Sequence, residues 1–296
     1  MTNVLPDAKI INNNLVFSTQ DGFIKACQYG AFHLKYPENI DFSPGIKLAQ
    51  NYYLEKDGGV LDEYKGFHKK VFDKSLLGYS STGNDQDELL QIENFLWKTY
   101  FPKGVSSLLF KINAVSKIVL NEIFRFYNIN HHDIEIITGG LNKDESLQYC
   151  IFNHYRSNIK HPVGLTAHKD SGFITTLYTI EPGLESFYEE NWIPFDPKCG
   201  YFTIVMGHSL EILTENKNIP IKASYHRVRP SIERRHHKEE RFTFGVYIGP
   251  TWQQNLYQYS RDGSLVSIES FLDFQKRKAK EMKYKFHPKV EVLYNK

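Results

Sequence analysis

The stretch "LTAHKDSGFITTLY", residues 165–178, decides how this chain is read. It places His168 and Asp170 two positions apart, and His226 follows in "SYHRVRP" (224–230). In an extended strand, residues i and i+2 point to the same side, so His168 and Asp170 can converge on one point. A second strand laid alongside can bring His226 to the same point. Two imidazoles and a carboxylate on one face of an ion, with the opposite positions open, are the ligands of a non-haem Fe(II) centre. A His-x-Asp pair alone arises often by chance, so its surroundings must carry the argument.

From about residue 133 the chain breaks into short β-rich runs separated by turn residues. They are "LQYCIFNHY" (147–155), "GFITTLYTI" (172–180), "NWIPFDP" (191–197), "GYFTIVMG" (200–207), "KASYHRV" (222–228) and "RFTFGVYIGP" (241–250). Many short strands with Gly, Pro and Asn breaks indicate a sandwich or barrel. Upstream, the pattern predicts a helix from about Asp21 to Tyr29 and a strand at "AFHLKY" (31–36). Apolar positions between Asp87 and Tyr100, among them Leu89, Leu90, Ile92, Phe95, Leu96 and Trp97, read as a helix. Leu108, Leu109, Ile112, Val115, Val119, Ile123 and Phe126 form one apolar stripe, predicting a helix from Ser106 to Tyr127 with Ser106 or Ser107 as its cap. A last helix is expected from Ser267 to Tyr284, with "KRKAKEMKYK" (276–285) as a solvated basic face. The expected fold class is mainly β with flanking helices. A single domain comprises a helix-rich part (1–132), a β core (133–252) and a C-terminal helix region (253–296).

The surroundings of His168 resemble one family segment by segment. "IFNHYR" (151–156) resembles its Asn-Tyr-Tyr element, and "AHKDSGFITTLY" (167–178) its HxDxGxxTxL core. "GLESFYEENWIPFDPKCGYFTIVMGHSLEILTE" (183–215) resembles its Gly-Leu-(Glu/Gln)…Trp-Ile-Pro-Val…Gly-x-Phe…Gly-Asp-x-Leu-Glu-Ile-Leu stretch. "YHRV" (225–228) supplies the distal His, and "RFTFGVYIGP" resembles an Arg-x-Ser strand ending in Pro. Residues 145–252 are therefore similar to the isopenicillin N synthase-like branch of the Fe(II)/2-oxoglutarate oxygenases. That resemblance implies a double-stranded β-helix, or jelly roll, with His168, Asp170 and His226 as iron ligands and catalytic centre. It implies that Arg241 and Thr243 hold the distal carboxylate of 2-oxoglutarate, with Tyr155 adding a phenol and Asn153 near the keto-acid end. A guanidinium pairs with a carboxylate as a planar fork, which suits that role. Three departures stand out: a long His226–Arg241 connection, read as an extended hairpin loop, His208 where the family has Asp, and a missing Pro-Pro after "IFNHYR". The long connection offers Arg227 or Arg229 as alternative anion partners.

The implied activity is oxidation of an unactivated C–H bond with Fe(II), 2-oxoglutarate and O2. Hydroxylation is the default outcome, and desaturation or ring closure the alternatives. Related halogenases lack the carboxylate that Asp170 provides, which argues against chlorination. The cations Arg227, Arg229, Arg234 and Arg235 suggest a small, carboxylate-bearing substrate such as an amino-acid derivative; their rival role is a solvated surface. Competing readings are an iron oxidase of the same fold without 2-oxoglutarate, a non-catalytic jelly-roll binding protein and a zinc hydrolase. The zinc reading lacks a general-base Glu near the pair.

With 36 basic and 34 acidic side chains, the chain carries a formal charge of +2, which argues against a dedicated nucleic-acid or membrane-surface binder. No apolar run approaches the roughly 18 residues of a membrane span. Cys27, Cys150 and Cys199 are widely spaced, which fits buried thiols in a reducing compartment. No secretory leader is visible at the N-terminus, so the expected location is cytoplasmic. A small molecule is the expected partner, and the oligomeric state stays open, with a monomer compatible. His131-His132 and His236-His237 are read as solvated loop residues.

Overall fold

The computed structural model describes residues 5–72, 77–81, 85–158, 161–230, 233 and 240–281. The N-terminal part supplies β1 (Asp7–Ile11), β2 (Asn14–Phe17), α1 (Gly22–Tyr29), β3 (Ala31–Lys35), α2 (Ser43–Asn51), β4 (Tyr79–Ser81), β5 (Asp87–Glu93), α3 (Trp97–Tyr100), α4 (Lys103–Phe126) and α5 (His131–Thr138). The β-rich part follows as β6 (Leu147–Tyr155), β7 (Leu165–His168), β8 (Ile174–Thr179), β9 (Leu184–Tyr188), β10 (Asn191–Pro194), β11 (Tyr201–Met206), α6 (His208–Thr214), β12 (His226–Val228) and β13 (Arg241–Gly249). A hairpin, β14 (Asn255–Tyr259) with β15 (Leu265–Ser270), leads into α7 (Phe271–Glu281).

Two sheets face each other as a jelly roll. The larger has the order β2-β1-β3-β11-β8-β13-β6-β5-β4, the smaller β10-β9-β12-β7. Alternation along β13 explains the layering. Phe242, Phe244, Val246 and Ile248 join the main core with Leu108, Leu109 and Ile112 of α4. Arg241 and Thr243, on the opposite parity, face the smaller sheet. Cross-strand neighbours keep this parity. Cys150 and Phe152 of β6 and Leu90 and Ile92 of β5 belong to the helix-side core, whereas Tyr155 packs with Leu184 and Val228 of the smaller sheet. Helices α2 and α4 cover the outer face closely: a Cβ on Gly45 of α2 would lie 2.6 Å from the Phe244 ring.

Several expectations need correction. Asp87–Tyr100 is not one helix: Asp87–Glu93 is strand β5, and helical structure begins only at Asn94. A strand covered on both faces carries apolar residues at both parities, so its pattern imitates a helix. Helix α4 starts at Lys103 after Pro102, and Ser106 bonds the Lys103 carbonyl inside the helix, not at a cap. The segment opening at His131 is helical before the β runs begin; Asn130 caps it through the Asp133 amide, and Gly139 ends it in the left-handed region. His131 and His132 thus lie in a helix, not a loop. Ser267 belongs to β15, and α7 begins at Phe271, where Ser270 Oγ accepts from the Asp273 amide. The basic face is not wholly solvated, because Lys278 is buried. Cys27 and Cys150 are buried thiols, but Cys199 is exposed. His236-His237, most of the His226–Arg241 connection and the end of the expected last helix lie outside the described residues. Among the described residues no helix is long and apolar enough to cross a membrane.

Candidate functional site

His168 ends β7 and His226 begins β12, and these two residues are directly paired across the smaller sheet. The pairing brings their ring centroids to 4.5 Å. Asp170 lies just past β7, with Oδ1 3.5 Å from His168 Nε2 and 3.9 Å from His226 Nε2. One ligand atom from each of the three residues falls within 4.8 Å of the others.

The remaining polar atoms of the trio are tied back, which leaves the three ligand atoms aimed inward. His168 Nδ1 donates to the Thr166 carbonyl at 2.8 Å, and His226 Nδ1 donates to the Ser224 carbonyl at 3.0 Å. Each bond fixes the tautomer with a lone pair on Nε2, the form a metal needs. Asp170 Oδ2 accepts from Thr175 Oγ1 at 2.6 Å, which leaves Oδ1 for an ion. Burial lowers the proton affinity of His226 to a pKa of about 4, and His168 beside it acts in the same direction. Burial alone would raise Asp170, but the His168 hydrogen bond and the charges of His226 and His168 hold it well below the carboxylate range. Burial works against a charge on His168, but Asp170 outweighs it and raises its proton affinity, so a divalent cation, which takes neutral imidazoles and an ionised carboxylate, displaces a proton there. The donor set fits Fe(II).

The backbone around Asp170 is clamped from α6. The amides of His208, Ser209 and Gly207 donate to the carbonyls of Asp170, Gly172 and Phe173 at 2.7, 3.0 and 2.7 Å. Ser209 Oγ also donates to the Ser171 carbonyl at 2.6 Å. The approach requires glycine: a Cβ on Gly207 would sit 2.3 Å from the Gly172 oxygen. His208, whose role is not legible in the sequence, opens α6, and its ring packs edge-on against Phe274 of α7. Sequence reasoning misses this clamp, although the resemblance includes "MGHSLEIL".

The four residues expected at 2-oxoglutarate form two adjacent cross-strand pairs. Arg241 on β13 is opposite Tyr155 on β6, and Thr243 is opposite Asn153. All four are buried. Arg241 is only 2% exposed, with its guanidinium 4.9 Å from the centre of the Tyr155 ring. Its Nε donates to the Pro182 carbonyl at 3.2 Å, and its Nη1 has no hydrogen-bond partner among the described residues. Burial opposes its charge, while Tyr155 and Glu181 favour it. A buried guanidinium with an unused donor suits an arriving carboxylate.

The alternative cations lie against Glu185, although the Arg229 Nε makes no hydrogen bond among the described residues. Arg227 Nη2 and Arg229 Nε lie 3.0 and 3.2 Å from the Glu185 carboxylate, and Arg227 stacks over Trp192 at 4.1 Å. Arg234 and Arg235 lie outside the described residues.

Residues 146–250 match the model of the 2OG-Fe(II) oxygenase superfamily. Among curated proteins, the chain is 29% identical over 114 residues to the 2-oxoglutarate-dependent dioxygenase gloE of Glarea lozoyensis, covering 38% of this chain and 33% of that protein. It is 31% identical over 94 residues to gibberellin 3-beta-dioxygenase 2-3 of Triticum aestivum, covering 31% and 23%. The matched segment thus spans a third or less of these relatives. Solved structures extend the fold likeness over most of the chain. The dioxygenase for auxin oxidation 1 of Arabidopsis thaliana, in its binary complex with 2-oxoglutarate, aligns with a TM-score of 0.60 at 18% identity, covering 83% of this chain and 93% of that one. JOX2 in complex with 2OG, Fe and JA aligns at 0.65 with 14% identity, covering 94% and 87%.

Proposed function

We propose that this chain, a member of the 2OG-Fe(II) oxygenase superfamily through residues 146–250, oxidises a C–H bond of a small molecule at the expense of 2-oxoglutarate. The observation that carries this reading is the pairing of an inward-facing His168–Asp170–His226 set with a buried Arg241 whose Nη1 is unused among the described residues. His168, Asp170 and His226 would hold Fe(II), and Arg241 with Thr243 would hold the distal carboxylate of 2-oxoglutarate. With both bound, O2 and 2-oxoglutarate supply the oxidation, giving succinate, carbon dioxide and, by default, a hydroxylated product.

The residues of the chain perform the orienting. Carbonyl bonds from Thr166 and Ser224 keep both imidazoles turned toward the ion, and Thr175 keeps Asp170 Oδ1 free. Tyr155 and Asn153 line the floor beside Arg241 and Thr243 in the same ladder. Burial of Arg241 excludes water from its bond to a carboxylate and strengthens it.

Arg241 supports 2-oxoglutarate dependence over an oxidase using iron and O2 alone. Asp170 favours hydroxylation, desaturation or ring closure over chlorination. An amino-acid derivative remains the proposed substrate type. Arg227 and Arg229 lie against Glu185, which competes with a substrate carboxylate for them. The ordered motifs from "IFNHYR" to "RFTFGVYIGP" support the isopenicillin N synthase-like branch. The test is succinate release on adding Fe(II) and 2-oxoglutarate with a panel of amino acids and small acids, products being read by mass spectrometry. A gain of one oxygen means hydroxylation, and a loss of two hydrogens means desaturation or ring closure. Turnover without 2-oxoglutarate would sink the reading.

A further inference from the structure

Strand β5 carries an acid that the proposed chemistry does not use. Asp87 is directly opposite Tyr155, so Asp87, Tyr155 and Arg241 form one row across β5, β6 and β13. Shared parity turns Asp87 to the inner face of the sheet, with Tyr155 and Asn153. Its Oδ2 accepts one long bond from Asn153 Nδ2, at 3.3 Å. Its Oδ1 is buried and has no hydrogen-bond partner among the described residues, and the residue is 3% exposed.

The placement of Asp87 is opposite to that of Arg241. Arg241 reaches the β8–β9 side, where it bonds Pro182. Asp87 lies on the β7 side. Just before it, Asp85 accepts from the amide and hydroxyl of Thr166, and the Gln86 amide donates to the Val163 carbonyl at 2.9 Å. These bonds stitch the start of β5 to the strand that ends in His168. Asp87 therefore lies within electrostatic reach of His168 and two strands away from Arg241, with Tyr155 between them.

The chain offers this carboxyl little compensation. On either side of Tyr155, His154 bonds Glu240, and Arg156 is turned to Glu88 at 2.7 Å and stacks on Tyr53. Burial and the charge of Asp85 push Asp87 up to about 7, with His168 and the Asn153 bond opposing. A buried carboxyl with an unmatched oxygen is unfavourable unless something arrives to pair with it. A protonated amine supplies charge and donors together.

We propose that Asp87 is a substrate-binding residue that selects a small molecule carrying a positively charged nitrogen, held on the β5–β7 flank of the triad. The proposal rests on the oxygenase reading and adds the substrate's charge class. Specificity follows because a neutral analogue would leave the Asp87 oxygen unpaired.

The test uses the full chain with Fe(II) and 2-oxoglutarate and compares amines with matching alcohols: cadaverine with 1,5-pentanediol, tyramine with tyrosol, and L-lysine with 6-hydroxynorleucine. Two readouts are taken, succinate release above the substrate-free background and the shift in melting temperature on adding each compound. At least one amine should half-saturate at a concentration about tenfold or more below that of its alcohol. Asp87→Asn should erase that preference while keeping the visible charge-transfer band of the Fe(II)–2-oxoglutarate chelate. A panel in which no amine binds more tightly than its alcohol overturns the proposal, as does a preference that survives in a folded Asp87→Asn variant. The wild-type panel decides even if the variant fails to fold. Absence of the chelate band in the wild type would count against the oxygenase reading, and the melting shifts would still decide the role of Asp87.

Discussion

The triad and the Arg241 row face each other across the sandwich, and they are rigid for different reasons. His168 and His226 sit at the ends of strands only four and three residues long. Their orientation comes from side-chain bonds to carbonyls two residues upstream, and the Asp170 backbone is held by the α6 amides. Arg241, Thr243, Tyr155 and Asn153 lie on two nine-residue strands paired over their whole length. The proposed ion site is thus built from local bonds at strand ends, and the proposed anion site from a continuous ladder. Damage should stay local in the first and be shared in the second.

The sharpest way to break this comparison is to remove a ligand. Ala at His168, Asp170 or His226 should reduce succinate release to background and remove bound iron, while far-UV circular dichroism stays native. Near-normal turnover in all three variants would show that the ion site lies elsewhere. On the ladder side, Arg241→Ala should raise the 2-oxoglutarate requirement by roughly 10- to 100-fold, from about 1.5–3 kcal/mol for a charge-assisted bond. The main substrate's requirement should change far less, and titrating both reactants decides it. An unchanged 2-oxoglutarate dependence, with a defect in Arg227→Ala or Arg229→Ala instead, would move the anion site to the smaller sheet.

The same contrast explains what is legible in the sequence. The ion site shows as His-x-Asp because strand parity converts spacing two into convergence, and the Arg241 row shows as Arg-x-Thr for the same reason. Strands β6 and β13 are legible almost to the residue because their runs are long and bounded. Strand β5 is not, because Leu89, Leu90 and Ile92 are apolar at both parities, and with it is lost the alignment that puts Asp87 beside Tyr155. The α6 clamp is hidden because it is made by amides, which no side-chain pattern reports. Lys278 looks solvated because a run of basic residues carries no mark of which one turns inward.

A milder probe separates orientation from ligation. Thr175→Val keeps shape and removes only the hydroxyl that holds Asp170 Oδ2. Loss of a partner behind a metal ligand weakens the site by about 10- to 100-fold, and the lower end is expected here because the α6 amides still hold the Asp170 backbone. Iron affinity by competition with a chelator measures it. A change no larger than the error would assign the orientation of Asp170 to α6 alone.

The smallest effect is expected at α7. Gln275 Nε2 donates to Ser171 Oγ at 2.7 Å, and Ser171 Oγ also meets Tyr247 Oη at 3.0 Å. Lys278 of the same helix bonds the Lys169 carbonyl. The helix therefore presses on both neighbours of Asp170 without touching the ion site's ligand atoms. In Gln275→Ala, Ser171 keeps Tyr247, so the loss should be that of one neutral hydrogen bond, about 0.5–1.5 kcal/mol. For a chain of this size that lowers the melting temperature by only a few degrees, roughly 2–4 °C per kcal/mol. Turnover should fall less than about threefold, because the carbonyl bonds and the α6 amides remain in place. Melting curves and succinate release on the same preparation test both halves. A loss of iron comparable to that of Asp170→Ala would mean that α7, and not α6, fixes the segment around Asp170, and the contrast between a locally built ion site and a ladder-built anion site would have to be redrawn.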